Sequence, residues 1–352
     1  MPNKSIDKPN VLLVADYPNW AYHHIANFIV ENLSDEYSLY VDFVSQNIRK
    51  NYSNDVFGLL ETGKRFARNV WQRIRYQKVR KDGDYDIIFY LGYYFDTVGE
   101  FSATGRKIIK GVYTQGFPPR GLQNDFDKLR KIDLNTLSLD KFIEIYLSNA
   151  NSVVCGAPSI THFYSKCFKE VYFGNSALDE HAFVPRESIS HGSDESFVVA
   201  WTGTPDRAFK GFRSHIEPAI EKARLKCPQL KFKTRFSGSM KTLPQFYQDV
   251  DLIIIASEAD AGPSLFAEAA LSGIPSISTR VGLPQYVIKD GVNGFLVERD
   301  VAQISDKIIL LYHNRIILKR MKARIRNDFL TLLGRDVQVE NWRRLFAETL
   351  SR

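Results

Sequence analysis

The chain has 352 residues, 44% of them hydrophobic and 25% charged, with a formal net charge of +7. That length exceeds what one core usually serves, so two domains are expected, and the composition is that of a water-soluble globular protein rather than a disordered one. Cys155, Cys167 and Cys227 form no pairing or metal-ligand pattern, the N-terminus lacks an apolar signal core, and no run reaches the roughly 18 apolar residues of a membrane span; a cytoplasmic location is expected.

Residues 10–15 read as a buried strand and 20–33 as a helix with Ala21, Ile25, Phe28 and Ile29 on one face. A strand follows at 38–44 and a long helical pattern at 57–81. Apolar strands recur at 86–91, 107–113 and 152–155, with a helical stretch over 139–150 before the last. The alternation restarts at 197–201 and continues through 230–236, 252–256 and 276–278. Residues 185–195 between the two series are polar and aperiodic, as a linker is. After Val301 the pattern turns helical and basic, ending in a helix over 337–350. Strands alternating with helices imply parallel βαβ units. The expected class is α/β, with Rossmann-like, doubly wound domains at 1–185 and 186–335. A C-terminal helix, 336–352, is placed to cross back to the first domain.

The densest chemical signal is Asp260-Ala-Gly-Pro-Ser-Leu-Phe-Ala-Glu268, after the apolar run 252–257. A strand, a turn of small residues and a helix put backbone N–H groups and a helix dipole where a phosphate binds. Gly262 permits close approach of a ligand and Pro263 stiffens the turn. Gly-Pro is also an ordinary loop-to-helix junction, but this one stands at a strand's carboxyl end, where open α/β sheets bind ligands. Glu268 is no capping-box glutamate, because Leu265 stands three residues before it and Ser264 is one position too far. A second element, Trp201 to Gly211, runs from strand through loop to Lys210-Gly211, a cation at the start of a helix. No Gly-x-Gly-x-x-Gly follows a strand and no Walker motif is present, so neither a hydride cofactor nor ATP chemistry is expected. Asp125-x-Asp127 and Asp249-x-Asp251 are weak metal candidates: Asp251 enters an apolar strand and Asp125 lies in a basic loop.

Residues 49–81 hold ten Lys or Arg against two acids, Asp55 and Glu61. Within 63–81, Phe66, Val70, Trp71 and Ile74 recur at helical spacing between cations. That is either an amphipathic helix for an anionic membrane surface or a core-packed helix with a solvated basic face. Charge alone would also allow nucleic-acid binding, which is not expected beside the ligand site read at 260–268.

The second half resembles the donor domain of retaining family 4 glycosyltransferases, whose GT-B architecture sets two Rossmann-like domains across a central cleft. The resemblance rests on Asp260 to Pro263 with Glu268 to Pro275, Val281 to Val297, Leu243 to Leu252 and Gly174 to Pro185, in that order and spacing. It covers residues 201–339 well and the first half weakly. It implies a nucleotide diphosphate sugar as donor, a hydroxyl of a glycan or lipid-linked acceptor, and retaining transfer with no metal or other cofactor. In its terms Glu268 takes the ribose diol. Asp260, where the family has a longer Glu, contacts the transferred sugar, with Glu258 a neighbouring acid for the same role. Gly262, Pro263, Ser264 and Leu265 supply backbone at the sugar and diphosphate. Lys210 stabilises the leaving group beside Gly203 and Thr204. Thr204 holds the family's Arg position, which leaves Arg207, three residues on, as the substitute.

On the acceptor side Asn19, Trp20 and His24 stand where many relatives have a Gly-rich loop, and His23 either packs or reaches the cleft. Gln115 replaces a family histidine. A lipid-carried acceptor fits the basic segment and a peripheral position on the inner face of the membrane. Two rival readings stay open: a GT-B epimerase or phosphorylase, and a non-catalytic glycan- or nucleotide-binding subunit with drifted side chains at Asp260, Thr204 and Gln115.

Overall fold

The computed structural model describes residues 8–44, 83–98, 103–113, 137–186 and 196–352. The 57–81 helical pattern with its basic segment, Gln115, the Asp125/Asp127 pair and most of the polar linker lie outside those residues.

Six strands form the first sheet: β1 (Asn10–Ala15), β2 (Ser38–Phe43), β3 (Asp84–Tyr90), β4 (Thr104–Val112), β5 (Ser152–Cys155) and β6 (Val171–Phe173). Their order is β2-β1-β3-β4-β5-β6 and every pairing is parallel. Parallel strands are covered on both faces, which is why Val11 to Ala15 is an unbroken apolar run, each residue at most 1% exposed. Helix α1 (Ala21–Leu33) buries Tyr22, His23, Ile25, Ala26, Phe28, Ile29 and Leu33. The inward face therefore differs from the expected one at its start. Ala21 is exposed, and Tyr22 and His23 point inward in its place. Short helices α2 (Phe95–Val98), α3 (Leu139–Phe142), which widens into a π turn at Ile143–Leu147, and α4 (Pro158–Tyr164) follow. Lys110 lies inside β4 at 1% exposure. Its ammonium is matched there by Asp96 Oδ2 at 2.7 Å and the Tyr146 carbonyl at 2.6 Å, as a buried charge requires.

The second sheet contains β7 (Phe197–Thr202), β8 (Leu230–Arg235), β9 (Leu252–Ile255), β10 (Ser276–Thr279) and β11 (Phe295–Val297). Its order is β11-β10-β9-β7-β8, again parallel throughout. Its helices are α5 (Glu217–Arg224), α6 (Leu243–Tyr247), α7 (Ser264–Leu271), α8 (Gly282–Val287), α9 (Val301–His313) and α10 (Arg315–Leu333), and α11 (Arg335–Ser351) ends the chain. The Asp300 side chain caps α9 by accepting from the Gln303 N–H at 2.8 Å.

The chain divides into two compact units. The second comprises Ala157–Ile160 and Ala177–Gln338; the first takes the residues up to Gly156, Thr161–Ser176 and Val339–Arg352. Most of α11 thus packs with the first sheet. Trp342 is fully buried, its ring 5.6 Å from that of Phe89, and its Nε1–H donates to the Asn175 carbonyl at 2.9 Å. Further along α11, the Thr349 and Ser152 hydroxyls meet at 2.8 Å.

Candidate active site

β7 and β9 are neighbours in the sheet although β8 separates them in the chain, so strand order reverses between them. The carboxyl ends of strands at such a reversal are where open α/β sheets bind ligands. Two loops leave from that point, 203–211 after β7 and 256–263 after β9, and they are fastened to each other. The Glu258 N–H donates to the Phe209 carbonyl at 2.8 Å. Gly211 has φ +70°, and a Cβ there would lie 2.5 Å from the Ala256 carbonyl oxygen, so both the turn and the close approach need glycine. Arg299, two residues after β11, donates from Nε to the Ala256 carbonyl (3.0 Å) and from Nη2 to the Ala208 carbonyl (3.1 Å). Sequence reasoning missed Arg299, whose one signal was a cation just beyond a short apolar strand.

These ties fix Lys210, the last residue of a single 3-10 turn, Ala208–Lys210. Its ammonium donates to Asp260 Oδ2, and the two side chains are only 24% and 13% exposed. The Asp260 loop rests in turn on Gly282. That residue has φ +27°, and a Cβ on it would lie 1.8 Å from the Ala261 carbonyl oxygen and 2.5 Å from that of Asp260. The Leu283 N–H closes the contact by donating to the Ala261 carbonyl at 2.9 Å.

Helix α7 opens on an extended Pro263 with no side-chain cap; the Phe266 N–H turns back to the Pro263 carbonyl at 2.9 Å, which leaves those of Ser264 and Leu265 for solvent or a ligand. Gly262 and Ser264 are exposed there, whereas Pro263 and Leu265 are buried. One turn in, Glu268 is 2% exposed. The Tyr247 hydroxyl donates to its Oε2 at 2.6 Å. Burial pushes the Glu268 carboxyl above the ordinary glutamate range, and hydrogen bonds from Tyr247 and Ser264, with the charge of Arg235, pull it partly back. Burial, and then the Glu268 charge, drive the Tyr247 phenol far up, while a hydrogen bond with the Thr202 side chain opposes the rise. Neither Tyr247 nor Thr202 was singled out from the sequence.

The remaining donor-side candidates lie on the rim. Gly203 (φ +144°), Thr204 and Arg207 are exposed, with the Arg207 N–H donating to the Thr204 carbonyl at 3.3 Å. Glu258 is exposed, its carboxylate 4.0 Å from Arg299 Nη1.

The first sheet has a reversal of its own, between β1 and β3. Asp16, just past β1, is 6% exposed, and its Oδ1 has no hydrogen-bond partner among the described residues. Burial pushes its carboxyl up to about 6, against the pull of the backbone N–H groups of Tyr17 and Asp16. Asn19 adopts φ +64°, and its N–H donates to His23 Nδ1 at 2.7 Å. His23 is fully buried, edge-on to Phe43 at 5.0 Å, so it packs. His24 is exposed, and Trp20 is 56% exposed with its ring 5.1 Å from that of Tyr17. Among the described residues, no cluster of three His, Cys, Asp or Glu could hold a metal ion, and no helix is long and apolar enough to cross a membrane.

Two parallel-sheet α/β units of this kind make up the GT-B fold, and solved glycosyltransferase structures share it with this chain. A sucrose-phosphate synthase from Thermosynechococcus elongatus matches with a TM-score of 0.64 at 13% identity, over 98% of this chain and 100% of that one. Anabaena Alr3699/HepE, in complex with UDP and glucose, matches with a TM-score of 0.61 at 13% identity, over 97% and 99% of the two chains. A variant of S. aureus TarM, in complex with fondaparinux, alpha-GlcNAc-glycerol and UDP, gives 0.54 at 16% identity, over 74% of this chain and 55% of that one. Within the second unit, residues 220–328 match the family Glycosyl transferases group 1. The N-acetyl-alpha-D-glucosaminyl L-malate synthase of Bacillus anthracis is 26% identical over 116 residues, 33% of this chain. The match spans only 30% of the length of that relative.

Proposed function

We propose that this protein is a retaining, family 4-type glycosyltransferase. It would move a sugar from a UDP- or GDP-sugar to a hydroxyl of a glycan or lipid-linked acceptor, in polysaccharide or glycoconjugate synthesis, without a metal. The observation that carries the reading is Lys210, held against Asp260 at the β7/β9 reversal, immediately before the uncapped start of α7.

As the bond from the sugar to the diphosphate breaks, negative charge grows on the departing phosphate. Lys210 and the α7 N-terminus supply fixed positive potential there, with Arg207 on the rim as a second cation. Donor binding exchanges the Lys210 ammonium from Asp260 to phosphate, which frees the Asp260 carboxylate for hydroxyls of the transferred sugar; Glu258 is the neighbouring acid. Gly262, Pro263, Ser264 and Leu265 line the diphosphate with backbone, and Glu268 takes the ribose diol. Asn19, Trp20, His24 and Gln115 serve the acceptor, the exposed indole of Trp20 offering a face for a sugar ring. The basic segment 63–81 would hold the enzyme on an anionic membrane, where a lipid-linked acceptor resides. The UDP bound in Anabaena HepE and S. aureus TarM supports UDP as the first nucleotide to test.

Thermal-shift measurements with UDP, GDP, ADP and CDP test the donor site, and no shift with any of them rejects it. Turnover of the matching sugar nucleotide should vanish in Lys210→Ala with the fold intact. Persistent nucleotide binding without turnover in the native chain would favour the non-catalytic binding subunit. The anomeric configuration of the product, read by NMR, decides retention.

A further inference from the structure

We propose that Tyr247 is a positioning residue for nucleotide recognition: with Thr202 behind it, its hydroxyl holds one oxygen of Glu268 so that the carboxylate meets ribose hydroxyls in a fixed orientation. This rests on the reading of Glu268 as the ribose ligand.

The direction of the hydrogen bonds carries the argument. A carboxylate only accepts, so the Tyr247 phenol must donate to Glu268 Oε2 across their 2.6 Å contact. Thr202 acts on the phenol, and Ser264 on the carboxyl, in the sense of lowering the pKa of each. The observed bond joins the end of α6 to the second turn of α7, and Thr202 stands at the end of β7, so three elements meet at the candidate donor site. Tyr247 and Glu268 are each 2% exposed, so no bulk water substitutes for these bonds. Arg235, at the end of β8, is the charged group that acts on both.

An ionised carboxylate has about four lone-pair sites. With one site on Oε2 taken by Tyr247, the carboxylate is fixed in direction and those that remain are presented as a cis diol needs. Packing alone would be served by phenylalanine, since the ring already lies 6.1 Å from that of Phe183. The buried hydroxyl adds a desolvation cost that only its bond to Glu268 offsets.

The test compares UDP with 2′,3′-dideoxy-UDP, and GDP with its dideoxy analogue, by calorimetry on the native chain, Tyr247→Phe, Thr202→Val and Glu268→Gln. The native chain should prefer the ribonucleotide about tenfold or more, the effect of one hydrogen bond to a charged group. Tyr247→Phe should pull that ratio towards one while leaving dideoxy affinity unchanged, with Thr202→Val moving it less in the same direction. Equal weakening of both ligands by Tyr247→Phe, or an unchanged ratio in both variants, overturns the positioning role. Should Tyr247→Phe not fold, Thr202→Val decides by the same ratio. If the native chain does not discriminate, or Glu268→Gln still does, the ribose reading of Glu268 fails and this inference fails with it.

Discussion

Replacing Asp16 by asparagine should stabilise the first unit at neutral pH and leave it unchanged in acid. In the folded chain burial lifts the Asp16 carboxyl from 3.8 to about 6, so the folded state favours the neutral acid. An unfolded chain ionises the same group from about pH 4 upward. The stability attached to the protonated form is therefore complete below about pH 4 and lost as pH rises through about 6. The gap is about two pH units, worth about 3 kcal/mol by linkage. Asparagine has nearly the same shape, stays neutral at every pH, and keeps an oxygen for the N–H groups that Asp16 satisfies. Urea unfolding at pH 7.5 and pH 4.0, read by hydrogen exchange in β1, should show a gain approaching 3 kcal/mol at the higher pH only. Equal shifts at both pH values, or a loss at pH 7.5, would refute the reasoning. A destabilising carboxylate at the strand reversal of the first unit is the kind of residue retained for binding rather than for folding.

Gly282→Ala places a methyl group 1.8 Å from the Ala261 carbonyl oxygen, so the Asp260 loop has to move. Nucleotide affinity should fall and the second unit should lose about 2 kcal/mol or more; unchanged affinity would show that the loop does not need that support. Nucleotide affinity should also fall on acidification, starting above the ordinary glutamate range of about 4.3, because ribose hydroxyls donate to ionised Glu268 and burial raises its carboxyl. Glu268→Gln should flatten that profile, and a decline confined to pH below 4 would contradict the assignment.

The strands were legible because burial on both faces leaves apolar runs that nothing else explains: β5, β7 and β9 end within a residue of where those runs end. β6 escaped notice, being three residues long with only Tyr172 fully buried. The inward face of α1 was misjudged because the unusual backbone at Asn19 sets where the helix begins, and the period alone does not contain that angle. Lys210, Asp260 and Glu268 could be singled out because each stands at a fixed offset from a strand end. Tyr247 and Arg299 could not. Their partners, Glu268 and the Ala256 carbonyl, lie 21 and 43 positions away, and only the folded sheet brings them together.

The return of the chain to its first unit has a consequence for synthesis on the ribosome. Gly174 leaves room for the indole of Trp342, which lies 2.9 Å from where a Cβ would stand, and Phe89 packs on the same ring. Translation at about 5–20 residues per second puts on the order of ten seconds between β6 and that tryptophan. Through that interval the nascent first sheet has an apolar face uncovered while the second unit, which ends at Gln338, is still being made. The domain begun first is thus completed last, and its exposed face is where a chaperone would bind the unfinished chain.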